Sequence, residues 1–340
     1  MNIKDISNND ILSWLKDHGQ PAFRAKQLHE WIYTKLAISF DEMTNMPQGL
    51  RDALSQDFNC CSLKELQQLV SEDKTVKWLF ELEDGNTIET VLIKAPERNT
   101  VCISTQVGCQ VHCLFCASGK KGLVRNLTSS EIIDQVIFVS RHIGKLVSNI
   151  VVMGMGEPLH NFQNLTTALD IICSPDGLGL GARHVTISTS GIPNAIRRLA
   201  EMGRPWNLAV SLHAVNDRIR ASIIPPKHRA PIADILKAAN EYREATGRMV
   251  TLEYILIKGI NASMDDALQL AAIARELHSK VNLIPSNSDD PHFPPPPADE
   301  CAAFLAILTK RNVQATLRMR KGKDINAACG QLRRRFQEDT

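Results

Sequence analysis

The chain has 340 residues, 44% of them hydrophobic and 22% charged, and a formal net charge of +2. These values exclude a disordered or fibrous protein and supply one large core, with or without a small appended domain. Near-neutral charge and 5% aromatics exclude a broad cationic or stacking surface, so nucleic-acid contact must rest on local patches. Residues 1–70 read as a small helical domain with no strand alternation. Ile11, Trp14 and Leu15 share one helical face, Ala25, Leu28, Trp31 and Ile32 another, and Phe40–Leu54 predicts a further short helix. Lys16, Arg24, Lys26 and Lys35 make this an accessory domain with RNA contact as one expectation, packing as the other. Residues 71–99 form a linker whose runs Lys74–Leu82 and Thr87–Ile93, joined through Asp84-Gly85, predict a hairpin.

From residue 100 the pattern becomes alternating strands and helices, which argues for a parallel α/β architecture. Strands are expected at Val101–Val107, Ile150–Gly154, His184–Ser188, Asn207–Leu212, Val250–Ile257 and Val281–Pro285. Helices are expected at Ser129–Ile143, Leu165–Cys173, Asn194–Met202, Ile232–Ala245 and Asp265–His278. Six strands are too few for a closed eight-stranded barrel, so an open partial (β/α)6 barrel over residues 100–312 is preferred to a doubly wound sheet. Ser286–Pro297, with four successive prolines, reads as an exposed loop. A helix at Ala298–Lys310 and a strand at Val313–Arg320 lead into a C-terminal extension over residues 313–340.

The densest chemical signal is Val107-Gly-Cys109-Gln-Val-His-Cys113-Leu-Phe-Cys116, three cysteines on one loop after a strand. Three thiolates can hold three irons of a [4Fe-4S] cluster, for which four cysteines are usual, leaving one iron open to a small molecule. The spacing resembles the signature of radical S-adenosylmethionine (SAM) enzymes. The competing reading is a zinc site of the same cysteines and His112, the mark of a non-catalytic RNA-binding protein. The remaining cysteines make nine in all, an odd number in a chain with no signal peptide and no membrane-length apolar stretch. They point to metal or redox chemistry in a reducing cytosol, and hence to a cytoplasmic location.

In a parallel barrel, ligands sit at the C-terminal ends of the strands. Five of the six expected strand ends carry polar groups: the cysteine loop, Gly156-Glu157-Pro158, Ser188-Thr-Ser-Gly191, Ser211-Leu212-His213 and Ser286-Asn287. Gly156 permits close backbone approach, Glu157 can accept from a ligand ammonium, and Ser188, Ser211 and Asn287 can bond ribose and carboxylate oxygens. That set suits an amino-acid nucleoside. Basic candidates for RNA contact are Lys120-Lys121 with Arg125, Arg197-Arg198, Lys227–Arg229, Arg318–Lys323 and Arg333–Arg335, each of which also suits a solvated face.

Asp324-Ile-Asn-Ala-Ala-Cys329-Gly-Gln-Leu332 lies far from the cysteine loop. Taken with that loop, Gly-Met-Gly-Glu-Pro, Ser-Thr-Ser-Gly and Ser-Leu-His-Ala, it resembles the radical-SAM RNA methyltransferase family RlmN/Cfr over nearly the whole chain. The resemblance implies methylation of adenosine at carbon 2 in 23S rRNA and tRNA, with carbon 8, the resistance branch, as the alternative. It implies a [4Fe-4S] cluster on Cys109, Cys113 and Cys116, and SAM bound by Gly156, Glu157, Ser188, Ser211, Leu212, His213 and Asn287. Two SAM molecules would be consumed: one methylates Cys329, and the second yields a 5′-deoxyadenosyl radical that takes hydrogen from that methyl group. The resulting carbon radical attacks an adenine carbon too electron-poor for direct displacement, and a protein–RNA crosslink forms. Glu89 would accept the ring proton, and Cys102 would resolve the crosslink through a transient disulfide with Cys329. A monomer served by an electron donor such as flavodoxin or ferredoxin is expected. Cys60, Cys61, Cys173 and Cys301 match no role and read as structural, while Ser288–Pro297 departs from the continuation typical of the family.

Overall fold

The computed structural model describes residues 1–288, 290–318, 321–322 and 324–332. Of the basic candidates, Arg320, Lys323 and Arg333–Arg335 lie outside the described residues. Helices α1 (Asn8–Asp17), α2 (Phe23–His29) and α3 (Gln48–Asp57) form the N-terminal layer. The expected helix over Phe40–Leu54 is two pieces, a 3-10 turn at Phe40–Glu42 and then α3, which starts after Pro47. Proline lacks an N–H and disfavours helical backbone in the residue before it, so one helix cannot run through that position.

Four strands follow as an antiparallel meander: β1 (Lys64–Val70), β2 (Val76–Glu81), β3 (Thr87–Ala95) and β4 (Arg98–Cys102). The expected hairpin is β2–β3, with Trp78 opposite Thr90 and Leu79 opposite Glu89. β1 lies in the stretch read as purely helical. Its sequence, Lys-Glu-Leu-Gln-Gln-Leu-Val, buries no residue, because it forms the polar outer edge of the sheet and needs no apolar face.

The expected strand Val101–Val107 is also divided. After β4 the chain leaves the sheet, and Gln106–Gly108 (β5) pairs instead with Leu123–Asn126 (β6) in a separate two-stranded ribbon. The departure is fixed by Gln135 of α4 (Ser129–His142), whose amide accepts from Ser104 N–H at 2.8 Å and donates to Ser104 O at 3.0 Å. The alternation then proceeds as expected through β7 (Asn149–Val152), α5 (Phe162–Cys173), β8 (Val185–Thr189), α6 (Pro193–Glu201), β9 (Asn207–Ser211), then, after an additional short helix α7 (Asp217–Ala221), α8 (Ile232–Thr246). It ends with β10 (Thr251–Leu256), α9 (Met264–Glu276), β11 (Lys280–Pro285), α10 (Ala298–Lys310) and β12 (Ala315–Leu317).

The sheet order is β1-β2-β3-β4-β7-β8-β9-β10-β11-β12, with every pair from β4 onward parallel. A doubly wound sheet reverses its strand order at a switch point. This one advances monotonically and does not pair β1 with β12, so it is an open partial barrel of six parallel strands plus the short β12. No described helix is long and apolar enough to cross a membrane.

The N-terminus is tied to the barrel by a buried ion pair. Lys4 Nζ lies 2.9 Å from Asp134 Oδ1 on α4, while Asp134 Oδ2 accepts from Ser62 N–H at 2.9 Å and from Asn2 Nδ2 at 3.2 Å. Removing one member strands the other in a site it cannot rehydrate. Lys4→Met is therefore expected to cost about 3–5 kcal/mol in denaturant-induced unfolding, whereas Lys35→Met, at a half-exposed pair, is expected to cost under about 1 kcal/mol.

Candidate active site

A cavity enclosing about 940 Å³ of non-atom space, its open mouth included, sits at the C-terminal ends of the parallel strands. Its first wall is the cysteine loop. The β5–β6 ribbon grips the base of this loop: Cys109 N–H donates to Gly122 O at 3.1 Å, and Gly108 is left-handed at φ 81°. A Cβ on Gly108 would lie 1.9 Å from Gly122 O, so only glycine closes the ribbon. Cys109, Cys113 and Cys116 all line the cavity, and burial pushes each thiol up, Cys109 to about 12. The chemistry of three buried thiols around an open cavity fits the cluster.

The second wall is the strand ends. Gly156 follows β7 at φ 107°, and a Cβ there would lie 2.6 Å from Gln106 Cβ. Glu157 is 3% exposed; its Oε2 accepts from Ser190 N–H at 2.7 Å and its Oε1 from Leu159 N–H at 3.0 Å. Each oxygen keeps a lone pair for a ligand donor. Ser188 and Ser211 touch at 3.3 Å between hydroxyls, and both line the cavity. His213 lines it too, with a left-handed φ of 59° and its ring edge-on to Phe115 at 5.3 Å. Leu212 is fully buried and does not line the cavity; its N–H donates to Glu253 O at 3.1 Å and its carbonyl accepts from Arg220 Nε at 3.2 Å.

Burial, then Arg220, holds the His213 imidazole down at about 3. Ile255 N–H donates to its Nδ1 at 3.1 Å, so the neutral ring carries its proton on Nε2. The unfolded chain takes up a proton near pH 6.5 while the folded chain resists it to about 3, so stability is full above pH 6.5 and declines as pH falls between those values. His213→Asn, which tolerates left-handed backbone, is expected to remove up to about 1.4 kcal/mol per pH unit from the acid-side slope of apo-protein stability. Urea titrations from pH 7 to pH 5 read that slope.

The third wall is the C-terminal segment. Ala117 N–H donates to Gly330 O at 2.8 Å, Ser118 Oγ to Leu332 O at 2.8 Å and Asn287 Nδ2 to Cys329 O at 3.3 Å. These contacts place Cys329 on the cavity, facing the cysteine loop. On the other side, Asp324 accepts from the Ser71 hydroxyl, Gly322 N–H donates to Asp73 at 3.2 Å and Lys77 Nζ reaches Asn326 O at 3.3 Å. The segment thus bridges from the β1–β2 turn to the cysteine loop.

Cys102 and Glu89 do not line the cavity; they sit on the neighbouring strands β4 and β3. Cys102 is 6% exposed, and burial followed by the proximity of Cys329 pushes its thiol up to about 12. Both cysteines are free thiols. Glu89 Oε1 forms a buried ion pair with Lys77 Nζ at 3.0 Å, and Ser104 Oγ donates to its carbonyl at 2.6 Å. One lysine therefore touches both the Glu89 carboxylate and the segment that carries Cys329.

Two residues of this region, Glu253 and Arg220, carried no signal in the sequence, and a third, Arg318, was read only as part of a basic run. Arg318 lines the cavity rather than a solvated basic face, and the neighbouring Cys329 raises its pKa. Glu253 lies within β10, the strand whose end had no polar candidate; it is 3% exposed, with Oε2 4.0 Å from Arg318 Nη1. Arg220 is fully buried in α7. Two basic candidates are partly exposed and paired with carboxylates, Arg125 with Glu131 at 2.8 Å and Arg197 with Glu241 at 2.6 Å.

The sequence profile of the radical SAM superfamily matches residues 103–271, and that of a ribosomal RNA large subunit methyltransferase N-terminal domain matches residues 1–60. A Symbiobacterium thermophilum protein named "Probable dual-specificity RNA methyltransferase RlmN" is 44% identical over 98% of this chain and 91% of its own length. The chain belongs to the RlmN family. A protein of the same name from Akkermansia muciniphila is 44% identical over 97% of the chain and 94% of its own length. A crystal structure of a radical SAM methyltransferase from Sphaerobacter thermophilus superposes with a TM-score of 0.94 at 42% identity, covering 98% of this chain and 99% of that one. The RlmN assignment accounts for the radical-SAM barrel and the helical N-terminal unit together.

Proposed function

We propose that the protein is a radical-SAM RNA methyltransferase that methylates carbon 2 of adenosine in 23S rRNA and in tRNA by way of a methylated Cys329. The observation that carries this reading is the lining of one cavity by Cys329 and by Cys109, Cys113 and Cys116. Two chemistries that both consume SAM, nucleophilic and radical, then share one binding site.

A [4Fe-4S] cluster held by Cys109, Cys113 and Cys116 would supply the electron that cleaves SAM reductively. The chain's own residues do the remaining work. Glu157 binds the SAM ammonium, while Ser188 and Ser211 bind oxygens of the nucleoside. The Cys329 sulfur takes the first methyl group by displacement and later presents it as the hydrogen donor. After the new carbon–carbon bond forms, Glu89 accepts the carbon 2 proton, with Lys77 holding the carboxylate in place, and the unpaired electron left on the adduct would return to the oxidised cluster. Cys102 then attacks the Cys329 sulfur; the sulfur–carbon bond breaks, a disulfide forms, and the released carbon takes a proton to become the methyl group. The disulfide must be reduced by a thiol reductant before another turnover.

The test is anaerobic incubation of iron-reconstituted protein with rRNA or tRNA, a reductant and methyl-deuterated SAM, followed by nucleoside mass spectrometry. Labelled 2-methyladenosine is the expected product. Labelled 8-methyladenosine would assign the carbon-8 branch, and 5′-deoxyadenosine with no methylated base would leave radical SAM chemistry on another substrate.

A further inference from the structure

We propose that Arg220 is the buried counter-charge of the iron–sulfur cluster and sets how readily the cluster accepts its electron. The inference rests on the cluster of the proposed function. Arg220 is 0% exposed, and among the described residues its guanidinium donates to three backbone carbonyls: Nε to Leu212 O at 3.2 Å, Nη1 to Ala230 O at 3.0 Å and Nη2 to Ser190 O. No carboxylate lies within ion-pair distance of it among the described residues. Asp217, three residues earlier on α7, is exposed, and its Oδ1 accepts from Ile232 N–H at 3.0 Å. A buried cation with only neutral acceptors is costly, so the fold places it there against something anionic.

The anion would come from the cysteine loop, once its thiolates hold the cluster. Leu114 N–H, between Cys113 and Phe115, donates to Ile223 O at 3.0 Å, and Ile223 N–H donates to Arg220 O at 3.3 Å. The guanidinium is anchored on Ser190 O and Leu212 O, at strand ends whose Ser190 and His213 line the same cavity as Cys113. Arg220 itself does not line the cavity, so it is not placed to touch SAM.

The surroundings make such a charge matter. Val111, Phe115, Ile223, Ile224, Ile255 and Phe293 form an apolar cluster against which the three cysteines pack. A [4Fe-4S] core of charge 2+ with three thiolates carries one net negative charge, and reduction by one electron adds a second. An apolar shell disfavours that addition, and a fixed cation within it offsets the penalty more strongly than the same charge in water. Arg220 also ties the Ser190 and Leu212 strand ends together, so the test must separate charge from clamping.

The experiment is an anaerobic redox titration of the reconstituted cluster, followed by electron paramagnetic resonance, in wild type, Arg220→Gln, Arg220→Met and Arg220→Lys. At a fixed potential the reduced-to-oxidised ratio is expected to fall about tenfold in the neutral variants, equivalent to 59 mV for one electron, and to stay within about twofold in Arg220→Lys. Fully loaded neutral variants with an unchanged ratio would overturn the proposal. If neutral variants fail to load, iron and sulfide content decides: retention in Arg220→Lys alone supports the charge role, and equal loss in all three leaves only a clamp. A wild type that takes up no [4Fe-4S] cluster overturns the proposed function itself.

Discussion

Cys102→Ser is expected to leave the protein covalently joined to its RNA. Cys102 sits on β4, nearly fully buried, close enough to Cys329 for that cysteine to help raise its thiol pKa. Serine preserves the packing and removes the sulfur proposed to displace Cys329 from its adduct. Released 2-methyladenosine should fall by about a hundredfold or more, the scale of losing an essential catalytic group, while a shifted RNA-bearing band accumulates on denaturing gels. Adding Cys329→Ala to the same chain should abolish the band. Normal release of methylated RNA by the serine variant would remove Cys102 from the mechanism and return it to the core.

Glu157→Ala should weaken SAM binding by about 10- to 150-fold, corresponding to about 1.5–3 kcal/mol for a charge-assisted hydrogen bond. Its carboxylate oxygens are pre-set by the N–H groups of Leu159 and Ser190, so the side chain pays no reorganisation on binding. Alanine also leaves those two buried N–H groups without an acceptor, which Glu157→Gln would only partly repair. Calorimetry with cluster-loaded protein under anaerobic conditions measures the affinity, and a wild-type value in the alanine variant would refute the assigned contact.

The barrel was legible because its parallel strands are short apolar runs separated by amphipathic helices, and the register of polar groups at their ends follows from that architecture. The expected helix Ala298–Lys310 coincides with α10, and the polyproline tract after Asn287 forms neither helix nor strand. What stayed hidden is tertiary in origin. β1 buries nothing and so writes no alternation. The break between β4 and β5 depends on Gln135, thirty-one residues from the Ser104 it binds. Arg318 looked like one charge in a basic run, because a sequence does not show that β12 delivers its end into the cavity. Glu253 and Arg220 are single charged residues whose significance lies entirely in what surrounds them. The site residues carrying family motifs mostly reach the cavity, with Leu212 turned into the core and Cys102 and Glu89 on the neighbouring strands β4 and β3.

The bridge formed by the C-terminal segment has a consequence for biosynthesis. A ribosome releases the cysteine loop more than two hundred residues before it releases Cys329. Throughout that interval the nascent barrel lacks both the wall that carries Cys329 and the anchors through Ala117 and Ser118. On the proposed function, the thiols that would hold the cluster are therefore open to delivery of iron and sulfide early, and Cys329 arrives well after them. Methylation of Cys329 would then wait until the barrel that binds SAM has been made.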